Sequence, residues 1–174
     1  NPEQKLKAVD FFCGAGGWTE GFRQYGIQVI MGIDNWAPAV KTHNLNHGLQ
    51  DEPMDILIFE KCKPDFIDEN IPDTEIIVGS PPCVSFSMSN NAGKADKTLG
   101  IRLIETYLRI VAYKKFKKNS LLKVWYMENV PNSKNYVKSE YTFNDLGLKS
   151  FAESIKKKPT DIALRASHED NGGI

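Results

Sequence analysis

Three stretches of the sequence place residues capable of chemistry or ligand binding directly after apolar runs. The first, V-D-F-F-C-G-A-G-G at residues 9–17, puts glycines where the chain leaves an apolar run and enters a helical period. Glycines there allow a tight turn and a close approach to a ligand, and a helix amino end offers unpaired N–H groups to an anion. The next apolar run ends in Asp34, where nucleoside-binding folds carry an acidic side chain for ribose hydroxyls. Together these features suggest an adenosine-type ligand.

The glycine stretch departs from the dinucleotide-binding fingerprint. After Gly14 and Gly16, the pattern G-x-G-x-x-G requires a third glycine where Thr19 stands, and this disfavours an ordinary dinucleotide site. The glycines alone are equally well explained by a structural turn between a strand and a helix, with an incidental aspartate at position 34. The other two stretches are therefore needed to choose between these interpretations.

The second stretch, I-I-V-G-S-P-P-C at residues 76–83, ends an apolar run in two prolines and a cysteine. Because prolines cannot continue a strand ladder and have a fixed φ, they would hold Cys83 at the carboxyl edge of a sheet, where ligands bind in open α/β folds. A lone cysteine is more often an inert core residue, but this position favours a nucleophile. Ser80 lacks the G-x-S-x-G context of a nucleophilic serine.

The third stretch, V-W-Y-M-E-N-V at residues 124–130, delivers Glu128 and Asn129 to the same edge. A carboxyl and an amide can hydrogen-bond the edge of a polar heterocycle, and partial burial would raise the pKa of the carboxyl enough for proton donation. Taken alone, Glu128 is better explained as a strand-end side chain that points into water. His43 and His47 are spaced for a metal pair on a helix surface, but no residue is placed to complete the site, so no metal is expected.

Alternating strands and helices must position these residues. Short apolar runs alternate with stretches of helical period, which is typical of βα units around a mostly parallel sheet. The predicted strands are Leu6–Phe12, Gln28–Ile33, Asp55–Phe59, Glu75–Gly79 and Val124–Met127, and the predicted helices are Thr19–Tyr25, Ala37–Asn46 and Gly100–Phe116. On the last helix Glu105 and Arg109 form a favourable i,i+4 pair beside an apolar stripe. Residues 85–98 are predicted to form a polar loop, and no strand or helix is predicted after Asn132.

Composition limits the class of protein. The 174 residues include 22 Lys and Arg and 22 Asp and Glu, and 41% are hydrophobic, as in one soluble domain. No apolar run approaches the ~18 residues of a membrane span, and the start NPEQKLKAVD is too polar for a signal peptide. Three cysteines in unrelated contexts favour a reducing compartment. The zero net charge gives no whole-chain sign of nucleic-acid binding.

The order D-F-F-C-G-A-G-G, I-D-N, P-P-C and E-N-V resembles the motifs of the DNA (cytosine-5)-methyltransferase family over about residues 6–132. The resemblance implies a Rossmann-like S-adenosylmethionine-dependent α/β fold, with a mostly parallel sheet and flanking helices. It also implies S-adenosylmethionine as the cofactor. The predicted cofactor-binding residues are Asp10, Phe12, Gly14, Gly16, Gly17, Asp34, Asn35, Asp55, Ile56, Ser80 and Pro82.

The resemblance also implies a catalytic mechanism on double-stranded DNA. A thiolate from Cys83 would add to C6 of a flipped-out cytosine, because C5 is otherwise too electron-poor to accept a methyl group. Glu128 would hold and protonate the N3/N4 edge of the base, and Asn129 would fix the local geometry. The loop at residues 85–98 would close over the DNA, with Ser87 and Ser89 near its phosphates.

Two departures from the family pattern shape the expected domain organisation. Val84 stands where the family usually has glutamine, and the Q-x-R-x-R motif, the target-recognition region and the final helix are not found. We expect residues 1–174 to form a cofactor-binding and catalytic domain that is incomplete at its carboxyl-terminal side. It would be a fragment or one subunit of a split enzyme, such as that of a restriction–modification system. Much of the phosphate-binding surface would then lie elsewhere, so the zero net charge does not exclude DNA.

Three other functions fit the same motifs less fully. The tRNA-methylating branch of the family shares P-P-C and E-N-V. A non-catalytic regulatory subunit would have no need of Cys83 and Glu128, and an amino-methyltransferase would have an aromatic residue in place of the cysteine. We expect the protein in the cytoplasm of a prokaryote or in the nucleus of a eukaryote.

Overall fold

The computed structural model describes residues 5–82 and 97–165 of the chain. Within these ranges the strands are β1 (Lys7–Phe11), β2 (Gln28–Ile33), β3 (Ile76–Gly79), β4 (Val124–Met127), β5 (Glu140–Thr142) and β6 (Ile162–Arg165). The helices are α1 (Gly17–Gln24), α2 (Ala37–His47), α3 (Pro64–Asn70), α4 (Lys97–Phe116) and α5 (Lys149–Ser154), and two 3₁₀ helices cover Ile56–Phe59 and Pro131–Asn135. The predictions for β1–β4, α1, α2 and α4 are confirmed, with ends shifted by a few residues.

Strands β1–β4 form one parallel sheet in the spatial order β2-β1-β3-β4. The central strands β1 and β3 are buried on both faces except at Lys7, which explains why apolar residues predominate in both. All four carboxyl ends lie at one edge, where Asp34, Ser80 and Glu128 directly follow their strands. The predicted α/β class, with a mostly parallel sheet and flanking helices, is confirmed.

Helix α4 supplies the largest part of the core on one face of the sheet. Its predicted apolar stripe is confirmed, since Ile104, Leu108 and Val111 are at most 1% exposed. Tyr107 packs edge-on against Phe11 with ring centroids 5.6 Å apart. A side chain at Gly79 would overlap the Tyr107 ring, so glycine at the end of β3 lets the helix approach the sheet closely.

The prediction of a strand at Asp55–Phe59 is wrong, because this segment forms the first 3₁₀ helix. Asp55 caps it by accepting a 2.9 Å hydrogen bond from the Leu57 N–H. A four-residue apolar run does not distinguish a strand from a buried helical turn, and here the capping aspartate decides between them. Helix α3 was not predicted at all.

The predicted i,i+4 pair of Glu105 and Arg109 is also wrong, because Arg109 is buried at 4% exposure and its guanidinium bonds to backbone carbonyls instead. Its guanidinium donates to the carbonyls of Phe59 and Cys62 at 3.0 and 2.6 Å. It also donates to the carbonyls of Leu146 and Gly147 at 2.8 and 2.6 Å. Arg109 therefore joins the first 3₁₀ helix to the region after β5, a long-range role that helical spacing cannot reveal.

The sequence after Asn132 is structured up to residue 165, contrary to the expectation that no element follows. Strands β5 and β6 pair in antiparallel fashion, with α5 between them. Tyr141, Phe143 and Leu164 are at most 1% exposed and belong to the main core. The strands have only three and four residues in lysine-rich sequence, too few to show a period. No helix in the described ranges is long and apolar enough to cross a membrane.

Candidate active site

A small cavity at the carboxyl edge of the sheet brings together six of the predicted cofactor-binding residues. These are Phe12, Asp34, Asn35, Asp55, Ile56 and Pro82, and the lining is completed by Ile33, Met54 and Leu103. These residues come from the ends of β1, β2 and β3, from the start of the first 3₁₀ helix and from α4. Because parallel strands end together, residues far apart in sequence meet at this edge.

The glycine turn is built from backbone conformations that favour glycine. Gly14 and Gly16 have φ angles of 53° and 101°, and Phe12 adopts a φ of 58°, which is unusual for a residue with a side chain. The Gly14 N–H donates to Oδ2 of Asp34 at 3.1 Å, and the Trp36 N–H donates to Oδ1 at 2.9 Å. The Asp34 carboxylate therefore fixes the turn to the end of β2.

A second acidic residue lies beside Asp34 because the backbone connects their segments. The Met54 N–H donates to the Asp34 carbonyl at 2.8 Å, which places the start of the first 3₁₀ helix next to the end of β2. Asp55 is exposed there, whereas Ile56 is 3% exposed and forms part of the cavity wall. The cavity thus has two carboxylates on one side.

The lining fits the adenosine part of S-adenosylmethionine. Phe12 and Ile56 offer apolar surface to a flat heterocycle, as adenine requires. Asp34 and Asp55 are hydrogen-bond acceptors for hydroxyl or amino groups, and each carboxylate oxygen can accept more than one bond. The residues present therefore suit this cofactor.

Five predicted cofactor-binding residues lie outside this lining. Gly14 and Gly16 form the turn behind it, and Gly17 begins α1 at a neighbouring open cavity. Ser80 accepts a 2.9 Å hydrogen bond from the Trp18 indole N–H. Asp10 is fully buried, and its carboxylate accepts a 2.8 Å hydrogen bond from the Thr19 hydroxyl.

Burial raises the pKa of Asp10 to about 7, although the Thr19 hydrogen bond opposes this rise. Burial also raises the pKa of Cys13, to about 12, and the nearby carboxylates of Asp10 and Asp34 add to the effect. Cys13 is therefore a neutral thiol at physiological pH, and a reactive thiolate is not expected at this position.

The predicted catalytic residues Glu128 and Asn129 follow β4. The Glu128 N–H donates to the Gly79 carbonyl at 2.9 Å, which continues the pairing of β4 with β3. The Glu128 side chain is exposed, contrary to the expected partial burial, and lines the open cavity beside α1. That cavity has a volume of about 540 Å³ and is lined otherwise by Gly17, Trp18, Gly21, Phe22 and Tyr25.

Asn129 joins the second and third sequence motifs. Its side-chain N–H donates to the Pro81 carbonyl at 3.3 Å, and its Oδ1 accepts from the Val130 N–H at 2.8 Å. Cys83, Ser87 and Ser89 lie outside the described residues, as does most of the predicted loop at residues 85–98. The Glu-Asn-Val motif is thus held against the segment that leads into Cys83.

Sequence reasoning missed several residues around the site. Leu103 lines the cavity from α4, and no local pattern marks it. His43 was expected on a helix surface but is fully buried, with its Nε2 2.9 Å from the Thr19 hydroxyl. The sequence feature that could have indicated this buried contact is Thr19, a hydroxyl-bearing residue at the position of the third glycine of the dinucleotide-binding fingerprint. No cluster of three or more His, Cys, Asp or Glu suited to a metal ion occurs within residues 5–82 and 97–165.

Comparisons with known proteins agree with the motifs. A family model of the C-5 cytosine-specific DNA methylases matches residues 6–153, and the chain belongs to this family. It is 36% identical over 95 residues to the type II methyltransferase M.HgiDI of Herpetosiphon aurantiacus, covering 55% of this chain and 29% of that protein. It is 31% identical over 161 residues to a Methanocaldococcus jannaschii protein assigned as type II methyltransferase M.MJ0563P, covering 87% and 50%.

The solved structures show the same fold. The S. pombe Dnmt2 methyltransferase superposes with a TM-score of 0.55 at 22% sequence identity, covering 75% of this chain and 38% of that one. The described part of the chain therefore shares the fold of this methyltransferase. The chain spans half or less of the length of each of these three proteins.

Proposed function

We propose that this chain carries the cofactor-binding and catalytic part of a DNA (cytosine-5)-methyltransferase. The main support is the convergence of six predicted cofactor-binding residues on one cavity at the edge where the Pro-Pro-Cys and Glu-Asn-Val motifs meet. Membership of the cytosine-5 methylase family supports the same reaction. S-adenosylmethionine would supply the methyl group as an electrophile at this edge.

The chain's own residues would activate the cytosine. The thiolate of Cys83 would form a bond to C6, and the electron pair of the C5–C6 double bond would become available at C5. After methylation at C5, loss of the C5 proton to a base would restore the double bond as the C6–sulfur bond breaks. The thiolate is thereby regenerated and all atoms are accounted for.

Glu128 and Asn129 would serve the same base from the neighbouring strand. Glu128 is exposed at the end of β4, where its carboxyl can reach a base that enters the open cavity. A base that enters this cavity would bury the carboxyl, and the protonated form would then donate to N3 and neutralise the negative charge that develops during thiolate addition. Asn129 would hold the backbone of both motifs in register through its bond to Pro81.

Cofactor binding would use the turn and the cavity described above. Asp34 would accept from ribose hydroxyls, Asp55 would face the adenine amino group, and Phe12 and Ile56 would cover the adenine faces. Among the other predicted residues, Gly14, Gly16 and Gly17 would allow the cofactor to approach the turn.

The substrate we propose is a cytosine flipped out of double-stranded DNA, because the base edge is inaccessible inside a duplex. Target recognition would come from a further segment of chain or from a second polypeptide, with the present residues forming a domain of their own. The type II relatives make a restriction–modification setting a reasonable one for this activity.

The proposal is tested by methyl transfer from labelled S-adenosylmethionine, using the complete protein with any second subunit. We expect label in C5 of cytosine in duplex DNA, none in tRNA, and none with the Cys83→Ala variant. Label in tRNA would assign the protein to the tRNA branch. Cofactor binding without any transfer would instead identify a regulatory subunit, and either result would overturn the proposal.

A further inference from the structure

Beneath the glycine turn, three polar side chains form a buried hydrogen-bonded chain. The hydroxyl oxygen of Thr19 lies 2.8 Å from Oδ2 of Asp10 and 2.9 Å from Nε2 of His43. Asp10 and His43 are fully buried, and Thr19 is 4% exposed. The three residues come from the end of β1, the first turn of α1 and the middle of α2. One hydroxyl therefore connects the strand and both helices that surround residues 12–16.

The glycines around the turn leave room for this chain. A side chain at Gly32 would overlap the ring of His43, and a side chain at Gly16 would overlap the rings of both His43 and His47. Gly16 also has a φ of 101°, which side chains rarely adopt. The imidazole of His43 thus fills a slot bounded by two glycines, one of them in the turn itself.

Because Thr19 has a single hydroxyl proton, the directions of its hydrogen bonds to Asp10 and His43 depend on each other. The Thr19 hydroxyl can donate to Asp10 and accept from His43 Nε2–H, or it can accept from a protonated Asp10 and donate to an unprotonated Nε2. In the described parts of the chain, Asp10 Oδ1 and His43 Nδ1 have no hydrogen-bond partner. Either arrangement therefore holds its two end groups through Thr19, so loss of this hydroxyl leaves the buried Nε2 of His43 unpaired and leaves Asp10 with only the Thr19 backbone N–H.

Several charged and titratable groups face the hydrogen-bonded side chains of Asp10, Thr19 and His43. Asp34 follows β2 and Asp51 follows α2, His47 lies one turn along α2 from His43, and Cys13 belongs to the turn. Burial and His47 lower the pKa of His43, while burial raises the pKa of Asp10 to about 7. The bond directions are therefore expected to reverse near neutral pH, with Asp10 the donor at lower pH and the acceptor at higher pH.

We propose that Asp10, Thr19 and His43 are positioning residues that hold the glycine turn in the shape that binds the adenosine cofactor. This inference deepens the proposed function and rests on it for the identity of the ligand. None of the three lines the cofactor cavity, so they act through the turn. The turn continues into α1 through hydrogen bonds from the Gly16 N–H to Cys13 and from the Glu20 N–H to Gly16, both 2.9 Å.

The test compares three threonine variants in the complete protein. Thr19→Val keeps the shape and removes the hydroxyl, Thr19→Ser keeps the hydroxyl, and Thr106→Val removes another buried hydroxyl, one without a partner among the described residues. Amide hydrogen exchange at Gly14 and Gly16 is measured with no cofactor present. The affinity for S-adenosylhomocysteine is measured by calorimetry between pH 6 and pH 8.

We expect Thr19→Val to speed amide exchange at the two glycines and to weaken S-adenosylhomocysteine binding, each by about tenfold. Thr19→Ser and Thr106→Val should stay within about twofold of the wild type. Thr19→Val could instead lower only the melting temperature and change neither the glycine exchange rates nor the S-adenosylhomocysteine affinity. The hydrogen bonds of Asp10, Thr19 and His43 would then have only a structural role, and the inference would be overturned. A third outcome separates the two proposals. If Thr19→Val speeds glycine exchange but the wild-type protein binds no S-adenosylhomocysteine, the positioning role is supported and the proposed function is contradicted.

A second variant covers the case in which Thr19→Val does not fold. Asp10→Asn is close in shape and cannot ionise, so the protection factors of Gly14 and Gly16, which are exchange rates corrected for the intrinsic pH dependence of amide exchange, should no longer change between pH 6 and pH 8. An unchanged pH dependence in this variant would also overturn the inference.

Discussion

The side-chain amide of Asn129 donates to the carbonyl of Pro81 across a distance of 3.3 Å. This contact holds the segment after β4 against the segment that leads from β3 into Cys83. Glu128 and Cys83 lie on different segments, and the proposed chemistry needs both at one base. The relationship between Asn129 and Pro81 is therefore the structural link between the two halves of the proposed mechanism.

Loss of this link should slow the reaction more than it destabilises the fold. Asn129→Ala removes two hydrogen bonds, the one to Pro81 and the one from the Val130 N–H, with an expected loss of about 2 kcal/mol in the free energy of unfolding. The methyl-transfer rate should fall about 10- to 100-fold, because small misplacements of reacting groups have large effects on rate. Single-turnover kinetics and urea denaturation measure the two effects. Asn135→Ala, which removes an exposed amide, is the control, and equal rates in both variants would contradict the assigned role.

Asp34 should determine cofactor affinity through the glycine turn. Asp34→Asn replaces one carboxylate oxygen, which accepts hydrogen bonds, with an amide NH₂ group, which donates them. The side chain can then no longer accept from both the Gly14 N–H and the Trp36 N–H. We expect S-adenosylhomocysteine affinity to fall at least about tenfold in calorimetry. Asp65→Asn in the exposed first turn of α3 should leave affinity unchanged. Wild-type affinity in Asp34→Asn would place the cofactor elsewhere.

Arg109 should be one of the strongest single contributors to stability. Arg109→Met leaves four carbonyl groups without their shared donor, and we expect the free energy of unfolding to fall by about 3 kcal/mol or more. Arg23→Met, on the exposed face of α1, should leave it nearly unchanged. Urea denaturation at pH 7 distinguishes the two. Similar losses in both variants would mean that the Arg109 contacts contribute little.

Asp10 should make stability fall as the pH rises towards neutrality. Its pKa is about 7 in the folded protein against an ordinary value of 3.8, so the folded state holds the proton more tightly. The stabilisation is complete below pH 4 and is lost between about pH 4 and pH 7, by up to about 4 kcal/mol. In Asp10→Asn the free energy of unfolding should lose this slope. An identical slope in wild type and variant would show that Asp10 is ionised throughout this range.

The strands of the parallel sheet could be predicted because each is a short, mainly apolar run followed by turn or polar residues. Their common edge then followed from the parallel topology, and so did the meeting of Phe12, Asp34 and Pro82 in one cavity. Leu103 could not be placed there, because its position depends on how α4 packs over the sheet. Strands β5 and β6 were missed because three- and four-residue strands have no detectable period.

Buried polar residues were the other limit of sequence reasoning. His43 and Arg109 are residue types usually found at the surface, and their helical spacing suggested nothing else. Their burial depends on partners from distant segments, the Thr19 hydroxyl in one case and backbone carbonyls in the other. Such contacts arise only when the tertiary fold is assembled.

The central claim is most directly tested by trapping the bond between Cys83 and the base. The complete protein is incubated with S-adenosylmethionine and duplex DNA that contains 5-fluorocytosine, and the adduct is digested and mapped by mass spectrometry. Fluorine at C5 cannot leave as a proton does, so the C6–sulfur bond formed by the nucleophile should persist. The account predicts a DNA-linked peptide modified at Cys83 and no adduct with Cys83→Ala. Methyl transfer to DNA without such an adduct, or an adduct that survives in Cys83→Ala, would contradict it.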